Sequence, residues 1–140
     1  MKKLINFLGI ISLFIFVGIQ GAYAQIDISI DLLPDCPHTC TTQENCVRYV
    51  EYTIYEICGE DQEVVCHDSA FVNCSTNPVN FDCNYDCEDA THNPCYYATA
   101  SAKKLCVGPG GTIIKCNGSD SMYLTCIELL GGVYFDITWE

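Results

Sequence analysis

The stretch CVRYVEYTIYEIC, Cys46 to Cys58, is the longest regular run in the chain from residue 25 on, and a cysteine closes it at each end. Helix and strand lead here to different architectures. Val47, Val50, Ile54 and Ile57 recur with the spacing of an amphipathic helix. Thr41 and Glu44 ahead of the run fit a capping box, and Gly59 after it fits a helix end. The residue types argue the other way. Valine, tyrosine, threonine and isoleucine are stiff at χ1 and favour the pleated strand. Gly59–Gln62 then supplies turn residues before Glu63–Cys66, which reads as a hairpin.

A second stretch, Tyr96 to Leu105, has the same character. It is followed by the turn Gly108–Gly111 and another β-rich run, Thr112–Cys116. Asn117–Asp120 reads as a further turn. Met122–Leu130 and Val133–Trp139 read as a third hairpin joined at Gly131 and Gly132. Apolar residues alternate at positions 26, 28 and 30, which predicts an N-terminal strand ended by Leu32–Pro34. The expected fold is small, disulfide-rich and mostly β. The alternative is α+β, with a helix at 46–58 and at 94–105, each followed by a stapled hairpin.

Twelve cysteines frame these runs, and their spacing repeats. Cys36, Cys40, Cys46, Cys58, Cys66 and Cys74 are separated by 3, 5, 11, 7 and 7 residues. Cys83, Cys87, Cys95, Cys106, Cys116 and Cys126 are separated by 3, 7, 10, 9 and 9. The flanks match as well. Asp35 precedes Cys36 as Asp82 precedes Cys83, and Val79–Asp82 resembles Val133–Asp136. The pattern predicts an internal duplication: a lead at 25–35, one six-cysteine module at 36–82 and a second at 83–140. Six cysteines allow 15 pairings, and spacing does not choose among them.

Residues 1–24 read as a secretory signal peptide. Lys2 and Lys3 form a basic start, Leu4–Ile19 is apolar, and Ala22–Ala24 is a small-residue cleavage site. No membrane anchor is expected after its removal. Export with an even, high cysteine count implies an oxidising compartment: secreted and extracellular, or periplasmic in a bacterium. The chain from residue 25 keeps 18 acidic residues against Arg48, Lys103, Lys104 and Lys115, a net charge of −14. Such a surface repels phosphate backbones and anionic lipid, so nucleic acid is excluded as a partner class.

Chemistry-bearing motifs are sparse. There is no G-x-S-x-G and no nucleophile–base signature, so no enzyme is expected. His38, His67 and His92 have no counterparts in the other module. The cysteines read as structural bridges, since zinc needs reduced thiolates. Asp82, Asn84, Asp86 and Glu88 place oxygen donors at alternate positions, a partial match to a Ca²⁺ loop. The match breaks where Cys87 replaces the turn glycine and Asn93 replaces the bidentate glutamate.

Tyrosines are the remaining feature. On a strand, Tyr49, Glu51, Thr53 and Tyr55 share one face, while Val50, Tyr52 and Ile54 point the other way. Tyr52 therefore reads as core. Tyr49, Glu51 and Tyr55 read as a binding face for an extracellular protein or glycan, because tyrosine joins a flat apolar ring to a polar tip. The expected function is a secreted, non-enzymatic binding or adhesion protein. The alternative is a small effector, a protease inhibitor or toxin, offering Lys103 or Lys104.

Overall fold

The computed structural model describes residues 24–33, 45–59, 61–87, 93–108 and 110–140. Seven strands and one short helix make up these residues. In chain order they are β1 (Gln25–Leu32), β2 (Asn45–Glu56), β3 (Glu63–Val72), β4 (Val79–Asn84), β5 (Tyr96–Gly108), β6 (Gly111–Leu124), α1 (Cys126–Leu130) and β7 (Val133–Ile137). The expected leader, apart from Ala24, lies outside the described residues, as do Cys36, Cys40, His38, His92 and Glu88.

Residue type outweighs helical spacing in the opening run. The set facing inward from β2 is Arg48, Val50, Tyr52 and Ile54, a period of two, and Val47 is exposed. The run at 96–108 is likewise one strand, so the α+β alternative fails at both positions.

The strands form two sheets. The larger has the order β3-β2-β5-β6 and is antiparallel throughout. The smaller has the order β4-β1-β7, with β1 antiparallel to β4 and parallel to β7. Each strand of the smaller sheet alternates buried and open positions, the signature of a sheet with one wet face. Ile26, Ile28, Ile30 and Leu32 of β1 pack with Phe81, Val133, Phe135 and Ile137 of its neighbours. Val50, Tyr52, Ile54 and the β5 alanines Ala98, Ala100 and Ala102 complete a single core between the sheets. Tyr52 is 2 % exposed and sits against Phe81, with ring centroids 5.1 Å apart. Burial, reinforced by the nearby Asp68 and Asp82 carboxylates, pushes its hydroxyl pKa up to about 12.

Three local readings differ from the sequence expectation. Asn117–Asp120 is not a turn but the middle of β6. The glycine there meets a packing need: a Cβ on Gly118 would lie 2.3 Å from the Thr138 carbonyl oxygen and 2.7 Å from Ile137 Cγ2. Residues 126–130 are helical rather than extended. Thr125 caps the helix and receives the Glu128 backbone N–H on its hydroxyl, while the Glu128 carboxylate accepts from the Thr125 N–H at 2.8 Å. Those bonds hold the Glu128 carboxyl below its usual range. The expected third hairpin is absent as well, because β7 leaves the larger sheet and pairs with β1.

Four bridges join described cysteines: Cys46–Cys106, Cys58–Cys95, Cys66–Cys83 and Cys87–Cys126. Cys74 and Cys116 are disulfide-bonded too. Three of the four bridges run between 36–82 and 83–140, and β2 pairs with β5 across the same division. The two stretches therefore share one sheet and one core. Cys46 and Cys106 are directly opposite in the β2–β5 ladder. Cys58 and Cys95 lie just beyond its other end, where Ile57 N–H donates to the Cys95 carbonyl. The central ladder is stapled at both ends.

Candidate functional site: the outer face of the larger sheet

Register assembles this face row by row. Across β3, β2, β5 and β6 the first row is Phe71, Tyr49, Lys103 and Asn117. The second is Ser69, Glu51, Ser101 and Ser119, and the third is His67, Thr53, Thr99 and Ser121. The fourth is Val64, Tyr55, Tyr97 and Tyr123. Neighbouring strands stand about 4.8 Å apart, so each row forms a band of touching side chains.

The bands differ in chemistry. Aromatic groups occupy both ends. Tyr49 lies 5.0 Å from Phe71, and Tyr97 lies 6.3 Å from Tyr55 and 5.0 Å from Tyr123, centroid to centroid. Phe71 is 68 % exposed and Tyr123 66 %. Between the ends lie two polar rows of hydroxyls, one carboxylate and one imidazole. At about 3.4 Å per residue, the aromatic ends stand about 20 Å apart along β2.

Hydrogen bonds order the polar middle. Tyr49 donates its hydroxyl to Glu51 at 3.0 Å, and Ser101 donates to the other Glu51 oxygen at 2.9 Å. Each carboxylate oxygen retains capacity for a further donor. A shallow depression of ≈ 280 Å³ opens here, lined by Glu51, Thr53, Tyr55, Thr99 and Ser101 among others. Tyr49, Glu51 and Tyr55 thus share a face, as the strand period predicts. Phe71, His67, Tyr97, Thr99, Ser101 and Tyr123 join them from other strands. Tyr97 and Thr99 were open to the same period-two reading in the second run.

His67 is exposed on β3. Its Nδ1 is 2.9 Å from the Tyr52 carbonyl and 3.0 Å from Thr53 Oγ1. A carbonyl only accepts, so the first contact keeps the proton on Nδ1. That nitrogen then cannot serve as a base toward the Thr53 hydroxyl. Tyr85 belongs to a different cluster, where it donates to Glu56 at 2.9 Å and meets Tyr96 edge-on. Burial and these two neighbours hold its hydroxyl well above the usual tyrosine range.

The partial Ca²⁺ motif falls mostly on a strand. Asp82 and Asn84 both face outward from β4, Asp86 follows it, and Glu88 lies outside the described residues. Strand geometry holds alternate side chains about 7 Å apart, whereas Ca²⁺ oxygens converge within about 2.6 Å of one ion. Among the described residues, no group of three or more His, Cys, Asp or Glu side chains is placed to hold a metal. Lys103 and Lys104 lie within β5 rather than on a loop, and Lys104 is 1 % exposed.

No family model matches the chain, and neither a curated protein nor a solved structure matches it. Multiple disulfides point to an extracellular or otherwise oxidising compartment. Among the described residues no helix is long and apolar enough to cross a membrane.

Proposed function

We propose that the chain is a secreted, non-enzymatic binding or adhesion protein that presents the outer face of its larger sheet to an extracellular ligand, a glycan being the class the face suits best. The observation that carries this reading is the pair of hydroxyl-bearing rows across four strands, flanked at each end by aromatic rings. Flat rings stack on the apolar faces of sugar rings, and hydroxyls and a carboxylate match sugar hydroxyls. The scaffold suits the task, because strands stapled at both ends hold the side chains in place before a ligand arrives, which reduces the ordering cost of binding. An array of glycans and extracellular proteins, probed with the disulfide-intact protein, tests it. The combined change Tyr55→Ala, Tyr97→Ala and Tyr123→Ala is expected to abolish glycan signal while the far-ultraviolet spectrum stays that of the parent. Glycan binding that survives the triple change sinks the assignment of this face.

We also infer that the two halves descend from one duplicated unit. The bridges support it. The spacing repeat equates Cys46 with Cys95 and Cys58 with Cys106, so Cys46–Cys106 and Cys58–Cys95 are images of each other. The same relation turns Cys66–Cys83 into Cys116–Cys36, and Cys87–Cys126 into Cys40–Cys74. Cys74 and Cys116 are indeed both disulfide-bonded. Cys74 lies just beyond β3 with its Sγ 3.6 Å from the Cys46 carbonyl, while Cys116 sits on β6, and the duplication assigns each a partner in the stretch ahead of β2. Non-reducing peptide mapping is expected to return Cys36–Cys116 and Cys40–Cys74. The opposite pairing, Cys36–Cys74 with Cys40–Cys116, breaks the duplication.

A further inference from the structure

Resting on the glycan reading, we propose that the face selects a glycan carrying unblocked primary amines. The first ground is charge. The chain carries 18 acidic and six basic residues, for a net charge of −12. Folding then hides much of the positive charge: Arg48 and Lys104 are buried on the inner side of the larger sheet, 4 % and 1 % exposed. Arg48 lies under the Trp139 ring, 5.9 Å from its centroid. Among the described side chains, Lys103 is the basic group left on the outer face. It stands in the first row, at the end away from Tyr55, Tyr97 and Tyr123. An anionic sugar approaching the third and fourth rows meets net negative potential and, among the described side chains, no lysine or arginine beside it, whereas an ammonium group is drawn in.

The second ground is local. Glu51 stands at the centre of the face, its two oxygens already oriented by Tyr49 and Ser101. An oriented carboxylate makes a charge-assisted hydrogen bond to an ammonium group, which is stronger than one to a neutral hydroxyl. The three-tyrosine row one end over presents ring faces and edges to the same ligand, and a cation within about 6 Å of a ring centroid is attracted to it. Carboxylate and aromatic row are both elements of amine recognition, and they lie on one surface with hydroxyls between.

Titration calorimetry of the full, oxidised protein tests this with three probes: a β-1,4-linked glucosamine hexamer, its N-acetylated counterpart and a hexamer of uronic acids. The glucosamine hexamer is expected to bind at least about tenfold more tightly than either of the others. Its affinity is expected to fall several-fold as salt rises from about 0.05 M to 0.3 M, since exposed charge attraction is screened. Glu51→Gln, which keeps the shape of the side chain, is expected to weaken it about tenfold. Tyr123→Ala, at an exposed position that leaves the core untouched, is expected to weaken it as well. Equal binding of the N-acetylated hexamer, still lost in the triple tyrosine variant, overturns the amine selectivity and leaves the glycan face standing. Binding of no glycan, with protein ligands captured on the array instead, overturns both. Amine-selective binding that is indifferent to Glu51→Gln and Tyr123→Ala overturns the site.

Discussion

Gly118→Ala is expected to destabilise the protein by about 3 kcal/mol or more, although it adds one methyl group. Overpacking a filled core usually costs about 1–3 kcal/mol, because side chains shift to other rotamers. Here the obstacle is backbone. The new Cβ would lie 2.3 Å from the Thr138 carbonyl oxygen, and a backbone oxygen cannot rotate away. Thr138 has to move, and it takes with it Ile137, which is fully buried. It also disturbs the paired bonds between Asn117 and Glu140, at 2.8 and 3.4 Å. A domain of this size has roughly 5–15 kcal/mol in total, so the loss is a large share. Gly110→Ala is the control. A Cβ there meets nothing within 4 Å. That change is expected to be neutral or to stabilise by about 0.5 kcal/mol through the unfolded chain. Urea midpoints of the two variants and the parent decide the matter. A Gly118→Ala midpoint equal to that of Gly110→Ala removes the close-approach account.

Replacing Cys58 and Cys95 together by alanine is expected to cost about 4 kcal/mol. The bridge closes a separation of 37 residues, and the chain-entropy relation for a loop of that length gives this magnitude. The Cys46–Cys106 bridge closes 60 residues and predicts a similar value, because the dependence on length is logarithmic. The two are not independent. Both staple the β2–β5 ladder, so the loop closed by Cys58–Cys95 lies inside the one closed by Cys46–Cys106. With either bridge in place the other closes a shorter effective loop, so each single loss is reduced and removing both is expected to cost more than the sum of the separate losses. Denaturant unfolding of the two paired variants and of the quadruple variant measures the difference. Strict additivity would show that the bridges act on separate parts of the molecule rather than on one ladder.

Strand identity was legible wherever residue type and turn chemistry agreed. Valine, isoleucine and tyrosine at 46–58 outweighed an apolar spacing that matched a helix by accident, since Val47 proved to be exposed. The inward position of Arg48 obscured the true period, because a charged residue interrupts the apolar alternation. Local signals misled where their cause was remote. Asn117 and Gly118 look like a turn, yet the glycine answers to Thr138, a neighbour unknown until the fold is known. The helix at 126–130 had a legible start in Thr125 and Glu128, and the β-rich residues around it masked that signal. The candidate face was half legible. Period two placed Tyr49, Glu51 and Tyr55 together. The aromatic row Tyr55–Tyr97–Tyr123 depends on the register of three strands, which a single strand's pattern does not contain.

The position of β1 governs how the molecule is born. This first described strand is the middle of its sheet, and one of its two partners is β7, the last strand. During synthesis, β1 emerges long before Val133–Ile137 exists to pair with it. Until then Ile28, Ile30 and Leu32 keep an unmatched edge, the kind of surface on which chains aggregate. Pairing strands so far apart in sequence also makes folding slow, because loop entropy is paid before the contact rewards it. The β2–β3 and β5–β6 hairpins close locally and are free to form early, while the smaller sheet waits for release of the whole chain. A nascent chain held with Val133–Ile137 still enclosed would therefore carry a formed outer face on an unfinished body.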